Sequence, residues 1–267
     1  MVLPGSVFTL YALQDVEGFL SGFFLLALSV AYFWSILTVF CVSNQLFGIE
    51  EDRLNKSDRP IVSGLISIEQ ARLHLWFSIY VSFSIAWILN ILGFYLIALV
   101  LVFLYNFKNL DRHWLTKNAL TALGIFVVLV TGEAIVRPLN ELTWLWSIFL
   151  SGIWLFMSPI QDLRDISGDR KVNRKTLPIV LGKKHSCYFL SVGFCILLVI
   201  YGFGLSTSPG YLLWVALIEN LIFAGLSLTI SIRLLLFQDS RSYDQTYTLF
   251  QLLYAFAILS SYSFLAR

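Results

Sequence analysis

The chain has 267 residues, of which 58% are hydrophobic and 13% charged, with a mean hydropathy of +0.80 and a formal net charge of +2. Soluble domains carry about 45–50% apolar and about 25% charged residues, so a soluble globular enzyme, a disordered chain and an ordinary basic nucleic-acid binder are excluded. An integral membrane protein remains, and its long apolar runs, unlike the alternating ten-residue segments of a barrel, predict helices.

A spanning helix needs about 20 apolar residues. Residues 2–13 are apolar but too short, and read as the stub of a helix. Spans are predicted at 19–47, 71–90, 92–107, 118–137, 143–163, 186–205, 211–237 and 245–265. The fold class is all-α: a multi-pass transmembrane bundle of eight or nine helices in one domain, residues 1–267, with the first helix short or missing. The N-terminus lacks a basic start followed by a small-residue cleavage site, so no cleavable signal peptide is expected. Cys41, Cys187 and Cys195 lie in apolar runs without metal spacing and are read as buried structural thiols.

Threading the spans puts the connections 48–70, 108–117, 164–185 and 238–244 on one face, and 91, 138–142 and 206–210 on the other. Of the 18 Lys and Arg, only Arg137 and Arg267 fall on the second face. Positive loops mark the cytosolic side, so the first face is expected to be cytosolic; in a eukaryote the endoplasmic reticulum membrane is the expected location.

Two polar clusters stand at that face. The first runs from Asn44 through Glu50, Glu51, Asp52 and Asn55 to Arg59-Pro60. At 100° per residue, Asn44 and Glu51 lie about 20° apart and Asp52 about 80° away, so one helix face carries an amide and two carboxylates. Ser67-Ile-Glu-Gln70 then reads as a capping box. The second cluster, Asp162, Asp165 and Asp169-Arg170, is spaced to stack within about 60° on a helix. Stacked carboxylates repel one another unless a cation sits among them. Hard oxygen donors suit Mg²⁺, which bridges carboxylates to phosphates, and Lys108, Arg112, Lys117, Lys171, Arg174 and Lys175 surround the cluster. Such charge beside an aromatic-rich apolar bundle predicts an amphiphilic substrate with a diphosphate head and a hydrocarbon tail. Aromatic rings are 16% of the chain and would stabilise a carbocation, at about 0.5–2 kcal/mol each.

At these residues the sequence resembles the UbiA superfamily of intramembrane prenyltransferases. The first family motif, N-x3-D-x3-D followed by N-x-P-x-R-P, corresponds to Asn44, Gly48, Asp52, Asn55 and Arg59-Pro60. The second, D-x2-D-x3-D-R with a downstream K/R-T-L-P, corresponds to Asp162, Asp165, Asp169-Arg170 and Lys175-Thr-Leu-Pro178. Tyr105 to Asn118 looks like the family's third cytosolic loop. Gly48 replaces the middle aspartate, with Glu51 as the expected stand-in. The resemblance implies a Mg²⁺ site of Asn44, Glu51, Asp52, Asp162, Asp165 and Asp169; diphosphate binding by Asn55, Arg59, Lys108, Arg112, Arg170 and Lys175; and catalytic roles for Asp162 and Asp165. Glu219, a carboxylate in the middle of the apolar span 211–237, is a further catalytic candidate, as a base that takes the final proton or a cation stabiliser. The pattern around Asn44-Gln45 is similar to a fungal branch that includes terpene cyclases. Cyclisation of an isoprenyl diphosphate, farnesyl or geranylgeranyl, is therefore the leading expectation. Prenyl transfer to an aromatic or quinone-precursor acceptor is the alternative, and an inactive scaffold or a transporter a further one. The bilayer is an expected partner; nucleic acid and an obligate protein partner are not.

Glu219 also reads as an interhelical hydrogen-bonding group, and Glu133 as the i,i+4 partner of Arg137. His74, His113 and His185 share no ligand spacing and read as interfacial polar residues.

Overall fold

A computed structural model describes residues 2–107, 110–206 and 213–265. Its helices are α1 (Val2–Ala12), α2 (Phe19–Phe47), α3 (Ile49–Asn55), α4 (Ile68–Ile88), α5 (Leu92–Phe107), α6 (Trp114–Ala134), α7 (Glu141–Met157), α8 (Ile166–Lys171), α9 (Leu177–Val180), α10 (Lys183–Ser206), α11 (Leu213–Leu236) and α12 (Ser240–Leu265). Each of the eight apolar runs is a helix, and 19–47 and 92–107 coincide with α2 and α5. The short helices α3, α8 and α9 come from the polar connections. Ser67 caps α4 as expected: its hydroxyl accepts from the Gln70 N–H at 3.1 Å, and the Gln70 side chain accepts from the Ser67 N–H at 2.8 Å.

Among the described residues, five helices are long and apolar enough to cross a membrane: α2, α6, α7 with its continuation to Leu163, α10 and α11. In α4 and α12 the hydroxyls turn back on their own helix. Ser82 bonds the Ser78 carbonyl at 2.7 Å, Ser84 that of Tyr80 at 2.9 Å and Thr246 that of Ser242 at 2.6 Å. Polar side chains are thereby satisfied without water.

Two apolar cores fill the bundle. One joins α1, α6, α7, α10, α11 and α12 around Phe8, Leu129, Leu150, Phe194, Phe223 and Phe250; the other joins α2, α4, α5 and α6 around Tyr32, Phe33, Tyr95 and Val128. Outward residues are equally apolar: Phe19 is 85% and Trp214 76% exposed, as a lipid-facing surface requires. The same indifference corrects the expectation for the thiols. Only Cys187 is buried; Cys41 and Cys195 are on the outside, because lipid is as good a solvent for a thiol as the core.

The 11-residue α1 is the predicted stub, about 16 Å long. It docks on α6 through a close approach at Gly132, where a Cβ would come within 2.5 Å of the Gly5 carbonyl oxygen and 2.8 Å of Phe8. Its far end is pinned by ions. Fully buried Glu133 accepts from Arg137 Nε at 2.8 Å and from the Asn140 side chain at 3.0 Å. The Asn140 amide also donates to Tyr11 Oη at 2.9 Å, and Arg137 reaches Asp15 and lies over the Tyr11 ring. Glu133 therefore has the structural role expected of it. Glu133→Ala strands the half-buried Arg137 and should lower stability by about 2–3 kcal/mol, whereas Asp15→Asn, at a 61% exposed carboxylate, should cost under about 1 kcal/mol. Thermal unfolding in detergent distinguishes the two.

Candidate active site

The first arm of the site is the α2–α3 junction. The ladder continues through Gly48, from the Gly48 N–H to Asn44 O and from the Asp52 N–H to Gly48 O, both at 2.9 Å. However, Gly48 adopts φ −99° and ψ 19°, and a Cβ there would meet Asn44 O at 2.9 Å. This turn rotates α3 relative to α2 and corrects the single-helix reading. Asp52, not Glu51, shares a partner with Asn44: Arg59 Nη1 donates to Asn44 Oδ1 at 3.2 Å and to the Asp52 carboxylate at 2.9 and 2.7 Å. Glu51 instead reaches Arg174 at 2.6 Å. Asn106 at the end of α5, which the sequence reading passed over, accepts from Asn44 at 3.4 Å and donates to Ser43 Oγ at 3.1 Å.

The second arm is not one helix either. Pro159 has no N–H for the α-helical ladder, and the chain after α7 tightens into a 3-10 helix over Ser158–Leu163 before α8 begins. The three aspartates consequently part. Buried Asp162 accepts from Lys117 Nζ of α6 at 2.6 Å. Asp165 turns to Arg164 at 2.9 Å, which also holds Asp244 of α12 at 2.6 Å. Buried Asp169 lies 3.8 Å from Arg174. Among the described residues no three carboxylates, imidazoles or thiols converge on one point, so the implied set of Asn44, Glu51, Asp52, Asp162, Asp165 and Asp169 is divided among three cations, Arg59, Lys117 and Arg174, with Asp165 set apart on Arg164.

A backbone link joins the third loop to this arm. The Lys175 N–H donates to Arg112 O at 2.7 Å and the Trp114 N–H to Lys175 O at 3.0 Å, while His113 caps α6 by accepting from the Leu115 N–H at 3.3 Å. The segments enclose a cavity of about 280 Å³ lined by Asn44, Glu51, Asp52, Asn106, Arg112 and Arg174, among others. Arg112 lines it; Arg170 and Lys175 are exposed beside it. Lys108 and the Asn55 side chain lie outside the described residues. Glu219 is not part of the cluster. It sits six residues into α11, some 26 Å of helix from Leu236, and the Leu236 end is the one that meets Lys183, through Gln238 O at 2.5 Å.

Burial, then the neighbouring Asp162, pushes Asp169 up to about 6. Burial likewise raises Glu51 and lowers Lys56, the latter with help from Arg59. Burial disfavours the Arg174 cation, but Glu51 and Asp111 more than reverse this. Oδ2 of Asp162 and Oδ2 of Asp169 are buried with no hydrogen-bond partner among the described residues. Buried polar atoms are ordinarily paired, and hard oxygens left open beside a polar cavity fit Mg²⁺.

Residues 1–260 match the model of the UbiA prenyltransferase family. The somaliensene A/B synthase of Streptomyces somaliensis is 35% identical over 88% of this chain and 78% of its own length. The diterpene cyclase eriG of Hericium erinaceus is 30% identical over 68% of this chain and 60% of its own. A solved digeranylgeranylglyceryl phosphate synthase superposes with a TM-score of 0.68 at 19% identity, covering 99% of this chain and 92% of that one. A UbiA homolog from Archaeoglobus fulgidus bound to DMAPP and Mg²⁺ superposes at 0.67 and 16%, covering 97% and 94%. This chain belongs to the UbiA prenyltransferase family.

Proposed function

We propose that the chain is a Mg²⁺-dependent membrane enzyme that ionises an isoprenyl diphosphate and closes the tail on itself as a terpene cyclase. The observation that carries the reading is a polar cavity at one end of an apolar bundle, lined by Asn44, Glu51, Asp52, Arg112 and Arg174, together with the buried, unmatched oxygens of Asp162 and of Asp169, the latter 3.8 Å from Arg174. The terpene synthase and diterpene cyclase among its relatives support cyclisation, and the homolog bound to DMAPP and Mg²⁺ supports the head-group chemistry. When bound, Mg²⁺ supplies Lewis-acid charge to the leaving diphosphate; the residues suited to hold it are Asn44, Asp52, Asp162 and Asp169, with Glu51 and Asp165 beside them.

The protein's own part is positioning and exclusion of water. Lys117, buried at the floor of the cluster, fixes Asp162. Among the described residues Arg112, Arg170 and Lys175 are engaged in no ion pair, which leaves them available to the phosphates. Asn106 lines the head-group cavity, and its neighbour Tyr105 lines an apolar cavity of about 30 Å³ between α2, α5 and α6 together with Phe40 and Val128. Phe40 and Tyr105 meet edge-on at 5.3 Å and present ring surface where the first carbons of the tail would enter, suited to a nearby cation. Glu219, deeper in the bundle, is retained as the candidate for the final proton. The basic end is assigned to the cytosolic side.

Asp162→Asn and Asp165→Asn should each reduce turnover about a hundredfold or more; full activity in both would overturn their roles. Membranes supplied with Mg²⁺ and geranyl, farnesyl or geranylgeranyl diphosphate should release a hydrocarbon without any acceptor. A conjugate formed only when an aromatic acceptor is added would mean transfer, the reading that the similarity to digeranylgeranylglyceryl phosphate synthases favours, and diphosphate release insensitive to chelator would refute the metal role.

Because the folded-state value of Asp169 is raised, to about 6, a proton competes with metal below that pH. Apparent Mg²⁺ affinity should fall by up to about tenfold per pH unit below pH 6. In Asp169→Asn affinity should be weaker throughout and flatter with pH, as titration calorimetry can measure.

A further inference from the structure

Arg174 is 9% exposed and stands where three segments meet. One guanidinium nitrogen lies 2.6 Å from Glu51 of α3; another bonds Asp111 on the turn Leu110–Arg112; and Asp169 of α8 is 3.8 Å away. The strand-like link between Lys175 and residues 112–114 fixes the backbone on either side of this contact. A single internal cation thus neutralises one acid from each of three connections. Next to it the buried Oδ2 atoms of Asp162 and Asp169 are unmatched, so the cluster holds more oxygen donors than its own cations use.

Five N–H donors in a planar fork match two phosphate oxygens as well as two carboxylates. We infer that Arg174 is an exchange residue: in the empty protein it is the counter-cation that ties Glu51, Asp111 and Asp169 together, and on loading it releases them and grips the diphosphate, leaving Asp111 as a carboxylate of the metal site. This rests on the metal–diphosphate reading given above. The exchange keeps every buried charge partnered in both states. It also supplies, from the third loop, a carboxylate to a chain that has Gly48 in its first motif.

The inference demands effects of opposite sign from one substitution. Removing a charge this close to three carboxylates strengthens their hold on a cation, while the loss of a bidentate donor weakens the hold on phosphate. Purified full-length protein in detergent is titrated with Mn²⁺ alone, followed by the resonance of free Mn²⁺, and with farnesyl thiodiphosphate, an analogue slow to ionise, in saturating Mg²⁺. Arg174→Gln should bind Mn²⁺ about tenfold tighter, bind the thiodiphosphate about tenfold weaker and unfold at lower temperature when empty. Arg112→Gln removes a cation from the same cavity without touching those acids, and should tighten Mn²⁺ binding by less than about threefold. Asp111→Asn should weaken Mn²⁺ binding. Arg174→Lys keeps the charge and loses the fork, so it should leave Mn²⁺ binding near the wild-type value and weaken the thiodiphosphate, a test that survives if the glutamine variant does not fold. Unchanged or weaker Mn²⁺ binding in Arg174→Gln, or an equal gain in Arg112→Gln, overturns the exchange. Wild-type protein that binds neither probe refutes the site itself, a distinguishable failure.

Discussion

Carboxylates at a membrane boundary must be neutralised, and this requirement organises the polar end of the molecule. Burying an unpaired charge costs several kcal/mol even after relaxation. Acids of the cluster are met by cations from elsewhere in the chain: Asp52 by Arg59, Asp162 by Lys117 45 residues earlier, and Glu51 by Arg174 123 residues later. In lipid, apolar faces gain little from choosing one another over acyl chains, so apolar packing alone specifies the register of neighbouring helices weakly. The ion pairs restore that specification, because a slipped helix would leave charges stranded.

The opposite end of the bundle obeys the same rule with fewer residues. Glu133, Arg137, Asn140 and Tyr11 tie the end of α1 to α6 and to the start of α7, while Gly132 lets α1 approach closely. A half-length helix thereby keeps a fixed place. The two ends differ in completeness. Every oxygen of Glu133 is used by Arg137 or Asn140, whereas Asp162 and Asp169 retain open ones. A saturated carboxylate is structural; a pair with open oxygens is what the proposed metal site would require.

Helix positions were legible in the sequence because they depend on local composition, and each apolar run became a helix. The basic and acidic residues at the expected cytosolic face do gather: the third, first and second motif loops meet through Arg174, and the first turns of α12 join through Arg164 and Asp244. What ideal helical geometry missed follows from two residues. Gly48 rotates α3, exchanging the partners of Glu51 and Asp52, and Pro159 ends the α-helical ladder before the second motif, separating Asp165 from its neighbours. The part played by Asn106 and Asp111 was illegible for another reason. Their significance lies in contacts with segments more than 50 residues away, which no spacing along the chain encodes. Nor does composition tell a lipid-facing thiol from a buried one.

Charge balance in the cavity also constrains what can enter it. Glu50, Glu51, Asp52, Asp111, Asp162 and Asp169 stand against Arg59, Arg112, Lys117 and Arg174 at and beneath its walls. Among the groups at and beneath the walls the acids outnumber the cations, while Arg170 and Lys175 stand exposed beside the cavity. A diphosphate alone would meet net repulsion, and a divalent cation alone would compete with cations already seated on the carboxylates. Together they add opposite charges to the two halves of the same network, and the basic side chains have phosphate oxygens to turn to as the acids change partners. Joint binding is therefore the arrangement that leaves no buried ion alone. On the proposed function, an excess of acid at a site for an anion, puzzling if each residue is considered singly, would make entry of the head group conditional on its metal.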